Sequence, residues 1–593
     1  MKKISLVLWL CVVWSTLWAQ TTRPIGVNLS YVTDYSTELV FTNAFRQCRP
    51  WISSNADNTG PWDTQVNIPL RPDGYPIQIP YNNGVAPSQK VKTLLLWDLF
   101  SATPTGVFRL KTSGTGQIRL SNGASGIYNS PCDVLVPVND AIILEILSSD
   151  FNDPVHDIRF ILPEYINNYQ EQVFTDELLS FLADFGVIRF MDFTQTNGSP
   201  IVSWSDRTPS NYYTQAKYGG AAWEYVVQLA NTLHKDIWIN IPHKANDAYV
   251  DSLASFIQAG LNPALKIYLE YSNEVWNGGF SQHAECAQMA QNIGFSGQPW
   301  ERAWKYTAKR SADVFDAFEQ VFSDNSRLVK IIPSQAANSW LTNQLVTFFN
   351  DPAYNPGQVT ADAIAIAPYF GHTVADNIVA NNQVNTITTP QIIEALRDDL
   401  AEAGNWITQN AAVADNHHLT LVAYEGGQHL VGTGSNINNA VLTQKLIAAN
   451  RDSAMQALYC DYLDLWYQNT TTLFCHYASI QRYSPYGSWG LMESFWDTLN
   501  PKYVALQNCV FNYNFVSGLE DKPSSANFLV YPNPTSDMVF VSGSQEENPP
   551  FALFNTFGQL LYSGFGTTID LKNYPPGLYL LKINFQIFKV IRH

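Results

Sequence analysis

The sequence predicts an α/β chain built on a closed (β/α)8 TIM barrel, with an antiparallel β-module inserted after strand one and a small C-terminal β-sandwich. Three observations carry that reading. Eight short apolar runs alternate with helical patterns, a stretch rich in Gly, Pro, Ser, Thr and Asn interrupts them after the first run, and the residues suited to chemistry sit just past strand ends. A barrel gathers all its strand ends at one mouth, which an open doubly wound sheet does not.

Taken in order, Lys2 and Lys3 precede an apolar run over 4–18 that closes on Ala19 and Gln20, the pattern of a secretory signal over residues 1–20. That run is shorter than the roughly 20 residues needed to cross a bilayer, and no later segment reads as an anchor, so no transmembrane segment is expected in the mature chain. The first barrel strand is 25–29. The inserted module occupies 58–164, with β-type runs at 91–96, 107–110, 118–120 and 142–146. The barrel itself takes 21–57 and 165–516. Residues 174–185 are helical in pattern, stop at Gly186 and lead into strand 187–191. Val226, Leu229, Ala230 and Leu233 repeat at helical spacing before strand 237–241, and Val250, Leu253, Ala254 and Ile257 do so before strand 265–271. Strands 328–332, 363–367, 419–424 and 473–477 complete the count, with a helix opened by Thr389 and Pro390 between the sixth and seventh. A polar linker follows at 517–526, and 527–593 is a small β-rich domain.

Lys and Arg number 34 against 51 Asp and Glu, a net charge of -17 with no basic block, so nucleic acid is excluded as a partner. Charged residues make up only 14% and aromatics 13%, a balance that suits the handling of sugar rings and equally a large aromatic core. Beyond Cys11 in the signal, Cys48, Cys132, Cys286, Cys460, Cys475 and Cys509 are scattered, and the sequence does not choose their pairing. None forms a CxxC pair, so neither zinc nor a dithiol redox site is indicated, and the expected chemistry uses no metal and no cofactor.

Two strand ends carry acids. The fourth strand runs into Tyr271-Ser272-Asn273-Glu274-Val275-Trp276-Asn277, and the seventh ends Ala423-Tyr424-Glu425-Gly426-Gly427. Glycoside hydrolysis needs one carboxyl to protonate the leaving oxygen and a second to attack the anomeric carbon, about 5–5.5 Å apart when configuration is retained. Two Glu at these two strands, one preceded by Asn, favour that pairing over a pair of ordinary rim carboxylates.

These motifs resemble the large clan of retaining glycoside hydrolases that includes cellulases and mannanases. The resemblance implies that Glu274 is the acid/base and Glu425 the nucleophile. It implies that Arg189, at the end of strand two, holds the nucleophile ionised, and that Tyr369, in Ala367-Pro368-Tyr369-Phe370-Gly371-His372, orients it. Asn273, His243, His372, Trp276 and Trp489 are expected to contact substrate, with Trp489 as a stacking floor. Trp204, in the long loop after strand two, is read either as a sugar platform or as loop packing, and so are Tyr212, Tyr213 and Tyr218. Trp238 reads as core, and His417 and His418 as surface residues at the far end of the barrel. Gly426-Gly427 and the inserted module match no family pattern.

The tail carries a second resemblance. Tyr531-Pro532-Asn533-Pro534, the Asp570-Leu571 to Gly577-Leu578-Tyr579 hairpin and a closing strand with Lys589 and Val590 resemble the C-terminal sorting domain of type IX secretion substrates. This implies the type IX secretion machinery as a partner and a secreted, extracellular or cell-surface attached protein. Together the two resemblances imply a secreted retaining glycoside hydrolase acting by double displacement on a β-linked polysaccharide or oligosaccharide. The alternative is a catalytically silent carbohydrate-binding or adhesion protein on a barrel scaffold. A lyase or esterase ranks last, because no GxSxG elbow is present.

Overall fold

A computed structural model describes residues 23–512, 529–542, 549–555, 560–583 and 586–593. The signal at 1–20 and the linker at 517–526 lie outside these residues. The chain divides into two compact units, 1–514 and 515–593.

The first unit contains a closed, parallel eight-stranded barrel. Its strands are Ile25–Asn28, Val187–Arg189, Asp236–Ile241, Ile267–Tyr271, Leu328–Pro333, Ala363–Ile366, Thr420–Ala423 and Phe474–His476, each beside its neighbours in sequence order, with the first closing on the eighth. All eight expected strands form, because each is a buried run bounded by a helix stop and a strand-end polar residue. Alternation sends one set of side chains outward to the helices, including Val27, Ile188, Ile239 and Leu269, and the other set inward. Val187, Trp238, Ile331, Ala363, Ala365, Val422 and Cys475 pack as a separate inner cluster. Gly26 belongs to that inner layer, where an added Cβ would stand 2.6 Å from Cys475 Sγ and 2.9 Å from the Val187 carbonyl oxygen. Only glycine fits there.

The helices begin where side chains cap them. Thr175 Oγ1 accepts from Leu178 N ahead of Asp176–Leu182, and Asn246 accepts from Tyr249 N ahead of Asp247–Gly260. Thr388 and Gln391 form a reciprocal capping box at the start of Thr389–Asn416. A disulfide joins Cys460, on helix Ala454–Asn469, to Cys509, whereas Cys48, Cys132, Cys286 and Cys475 are free thiols.

The module after strand one is an antiparallel sheet in the order Ile52–Asn55, Gln89–Leu95, Ile142–Ser149, Gly106–Asn122, Gly126–Val138, with His156–Ile161 also paired to Gly106–Asn122. The sheet therefore starts ahead of residue 58. The runs 107–110 and 118–120 are one 17-residue strand, and the Gly-rich segment between them is a bulge with a register shift between Thr112 and Gly116. A Cβ on Gly116 would meet the Ser148 carbonyl oxygen at 2.1 Å, so that glycine serves close strand approach and not a turn.

The C-terminal unit has two antiparallel sheets, Leu529–Tyr531, Met538–Ser542, Thr568–Asp570 and Leu560–Phe565, Pro550–Phe554, Gly577–Ile583, Gln586–Arg592. Val539, Leu553, Ile569, Leu581 and Val590 fill its core. The Asp570-to-Tyr579 segment passes from one sheet to the other instead of forming a hairpin. The hairpin is Gly577–Ile583 with Gln586–Arg592.

Candidate active site

The inward side chains at the strand ends build a charged cluster around Arg189, which is wholly buried. Its Nη1 donates to Glu425 Oε1 at 2.7 Å and to Asn28 Oδ1 at 2.9 Å, and its Nη2 donates to Glu270 Oε2 and Asn273 Oδ1, both at 2.9 Å. One guanidinium thus ties the ends of strands one, two, four and seven together. Burying it is tolerable because two carboxylates and two amide oxygens replace its water. Trp238 is core, as its mid-strand position suggests, and its Nε1 also donates to Glu270 Oε2 at 2.7 Å.

Glu425 receives a second hydrogen bond from the Tyr369 hydroxyl at 3.0 Å on Oε2. Glu274 has neutral partners: the Tyr424 hydroxyl donates to Oε1 at 3.0 Å and Asn277 Nδ2 to Oε2 at 2.9 Å. Burial, and then the nearby charge of Glu425, push the Glu274 carboxyl up to about 7 from its ordinary 4.5. Ser272 and Glu274 hold left-handed backbone, at φ 60° and 47°. For non-glycine residues that is strain, kept by the surrounding contacts. Asn273, between them, donates to Asn197 Oδ1 at 3.1 Å while Gln282 Nε2 holds the Asn273 carbonyl at 2.8 Å.

Both glutamates open into one cleft of about 480 Å³. Of the residues expected at the site, Asn273, Glu274, Trp276, Tyr369, His372, Glu425 and Trp489 line it, with Arg189 directly behind Glu425. Trp489 stands 5.8 Å from the Tyr369 ring and 5.9 Å from the Tyr477 ring, both edge-on. Among the described residues Trp276 Nε1 is buried without a hydrogen-bond partner, a donor left free at the cleft wall.

Two expected residues lie elsewhere. His243 is buried against Glu285, and burial depresses its pKa. Trp204 packs against Tyr249 and Phe256 at 5.5 and 5.9 Å, with the Arg207 guanidinium over its ring. Neither lines the cleft. Tyr213 likewise stacks on Trp51 at 4.8 Å as loop packing. No residue of the inserted module lines the cleft either.

Other cleft residues were not singled out by sequence: Asn197, Trp406, His429 and Tyr477. Tyr477 donates to Asp192 Oδ2 at 2.8 Å, and burial pushes the Asp192 carboxyl up to about 7. The Gly426-Gly427 pair has a packing reason. A Cβ on Gly426 would stand 2.4 Å from the Phe474 ring, and Gly427 adopts φ 140° beside His476.

The fold and this site define an eight-stranded parallel barrel with two unequal carboxyls at its mouth. Solved structures similar to the chain include an arabinofuranosidase of family GH51 from Xanthomonas axonopodis pv. citri, at 10% identity and TM-score 0.36 over 67% of this chain and 87% of that one. Others are a 4-O-α-L-rhamnosyl-β-D-glucuronidase from Fusarium oxysporum 12S, at 14% identity and TM-score 0.37 over 70% and 90%, and an endo-β-1,4-mannanase from Thermotoga petrophila, at 11% and 0.31 over 70% and 92%. No curated protein sequence matches the chain. Residues 529–592 match the family described as secretion system C-terminal sorting domain. That match marks a secreted protein and implies the type IX secretion machinery as its partner in export. Among the described residues no helix is long and apolar enough to cross a membrane.

Proposed function

We propose that the protein is a retaining glycoside hydrolase acting on β-linked glycans. The observation that carries this reading is the pair of opposed carboxyl environments in one cleft. Glu425 accepts hydrogen bonds from a guanidinium and a phenol, and Glu274 is buried among neutral donors that leave its proton in place near neutral pH. In the first step the Glu425 carboxylate attacks the anomeric carbon while Glu274 gives its proton to the departing glycosidic oxygen. In the second, the Glu274 carboxylate takes a proton from water, whose oxygen displaces Glu425 and regenerates both groups. Tyr369 and Arg189 keep the Glu425 oxygens aimed, and Trp276, Tyr477 and Trp489 supply aromatic surface for the sugar. The chain's net charge of -17 favours neutral over anionic sugars as substrate.

The test is a panel of β-glucans, β-mannans and β-xylans incubated with the mature chain, with chromatographic analysis of products. Release of sugars from at least one glycan, lost in Glu425→Ala, is expected. Binding to a glycan without release from any of them would leave the silent binding protein as the better account.

A further inference from the structure

The inserted module carries a polar hollow that the barrel chemistry does not use, of about 380 Å³. Strand alternation makes it. In Gln89–Leu95, Val91 turns into the module's apolar core, and Lys90 and Lys92 stand on the other face. Lys92 pairs in register with Glu145, which pairs in turn with Arg119 on the next strand. Two of the three cations on this face pair with that one carboxylate. Lys90 Nζ lies 2.9 Å from Glu145 Oε1, and Arg119 Nε donates to Oε2 at 2.6 Å.

Lys92 is left over. It is only 6% exposed, yet among the described residues no carboxylate lies within ion-pairing distance of it. Its ammonium sits 3.3 Å from the centre of the Trp62 ring, and burial lowers its pKa. Trp62 itself is 53% exposed at the rim of the hollow. A mostly buried cation with Glu145 and Asp63 near it but neither in direct ion-pair contact, beside an exposed aromatic ring and the amide of Asn55, can receive a ring that bears an anion. The chain's net charge of -17 opposes anions at long range. Charges beyond about 8 Å are screened at physiological salt, so the local cations decide at contact.

We propose that this hollow is a second, non-catalytic glycan site that takes an anionic sugar, its acidic group paired with Lys92 and its ring against Trp62. The proposal is independent of the chemistry assigned to the barrel mouth. The test is affinity electrophoresis of the mature full-length chain through gels containing a polyuronate, a sulfated polysaccharide or a neutral β-glucan. Retardation by an anionic polymer that weakens with salt is expected, with the polyuronate and sulfated gels separating a carboxylate from a sulfate ester. Lys92→Met and Trp62→Ala should each weaken that retardation about tenfold, and leave migration in the neutral gel and circular dichroism unchanged. If Lys92→Met fails to fold, Trp62→Ala, at an exposed position, still decides. No retardation of the wild type by either anionic polymer, or equal retardation of wild type and both folded variants, would overturn the proposal.

Discussion

Glu425 and Glu274 share a cleft, a residue type and near-complete burial, and differ in what faces them. Glu425 has a guanidinium against one oxygen and a tyrosine hydroxyl against the other, whereas Glu274 has a tyrosine hydroxyl and a carboxamide. Desolvation without a directly bonded cation raises the proton affinity of Glu274. One of the two donors to Glu274 is Tyr424, the residue just before Glu425, so one strand end supplies one acid and a hydrogen bond to the other. The division of labour is thus a property of neighbours, and it can be broken by changing them.

The largest effect is expected from Glu425→Ala, which removes the attacking group. Turnover on the best glycan of the panel should fall at least about 10³-fold, and a smaller loss would mean another group attacks. Next comes Arg189→Lys, which keeps a positive charge but cannot serve both faces of the cluster. It should lower kcat/KM by roughly 10–100-fold and reduce the melting temperature, because Glu270 or Glu425 loses its partner in a dry site. Unchanged stability and activity would show that the buried fork is not needed.

A third expectation concerns pH. The folded state holds the Glu274 proton more tightly than the unfolded chain, so its contribution to stability is complete below pH 4.5 and is lost as pH rises through about 7. Glu274→Gln should therefore gain on the wild type in melting temperature between pH 5 and pH 8, by about 1–3 °C, and the wild-type kcat/KM should fall on the alkaline side near pH 7. A constant difference in melting temperature across that range would place the raised pKa elsewhere. The smallest effect belongs to Trp204→Phe. Its ring packs on Tyr249 and Phe256 away from the cleft, so kcat/KM should stay within about threefold of wild type. A larger loss would restore it to the site.

Much of this was legible before any coordinates. The barrel strands are buried runs with sharp helix stops, and Glu274, Glu425, Arg189 and Tyr369 each follow or end such a run. The strand-end logic applies equally to Tyr477, the last residue of the run 473–477, which lines the cleft. Glu270 is harder, since a single acid inside an apolar run reveals its partner only when barrel closure brings Arg189 of strand two to it across the interior. Trp406 sits midway along Thr389–Asn416, where helical spacing does not distinguish a cleft residue from a packing one. His243 and Trp204 fail for the same reason in reverse, because a loop's route is set by tertiary contacts such as those with Glu285 and Tyr249. In the module, 107–110 and 118–120 read as separate runs, and only the partner strands show that they are one bulged strand.

The central claim is that Glu425 attacks and Glu274 gives and takes the proton. It is tested most directly by azide rescue of Glu274→Ala and Glu425→Ala on an aryl glycoside of the sugar found in the panel, with the anomeric configuration of the glycosyl azide read by proton NMR. Glu274→Ala should still form the glycosyl intermediate, because a good leaving group needs no proton, and azide should return turnover with retained configuration. Glu425→Ala should yield at most an inverted product. The same configuration from both variants, or near wild-type rates in either without azide, would contradict the account.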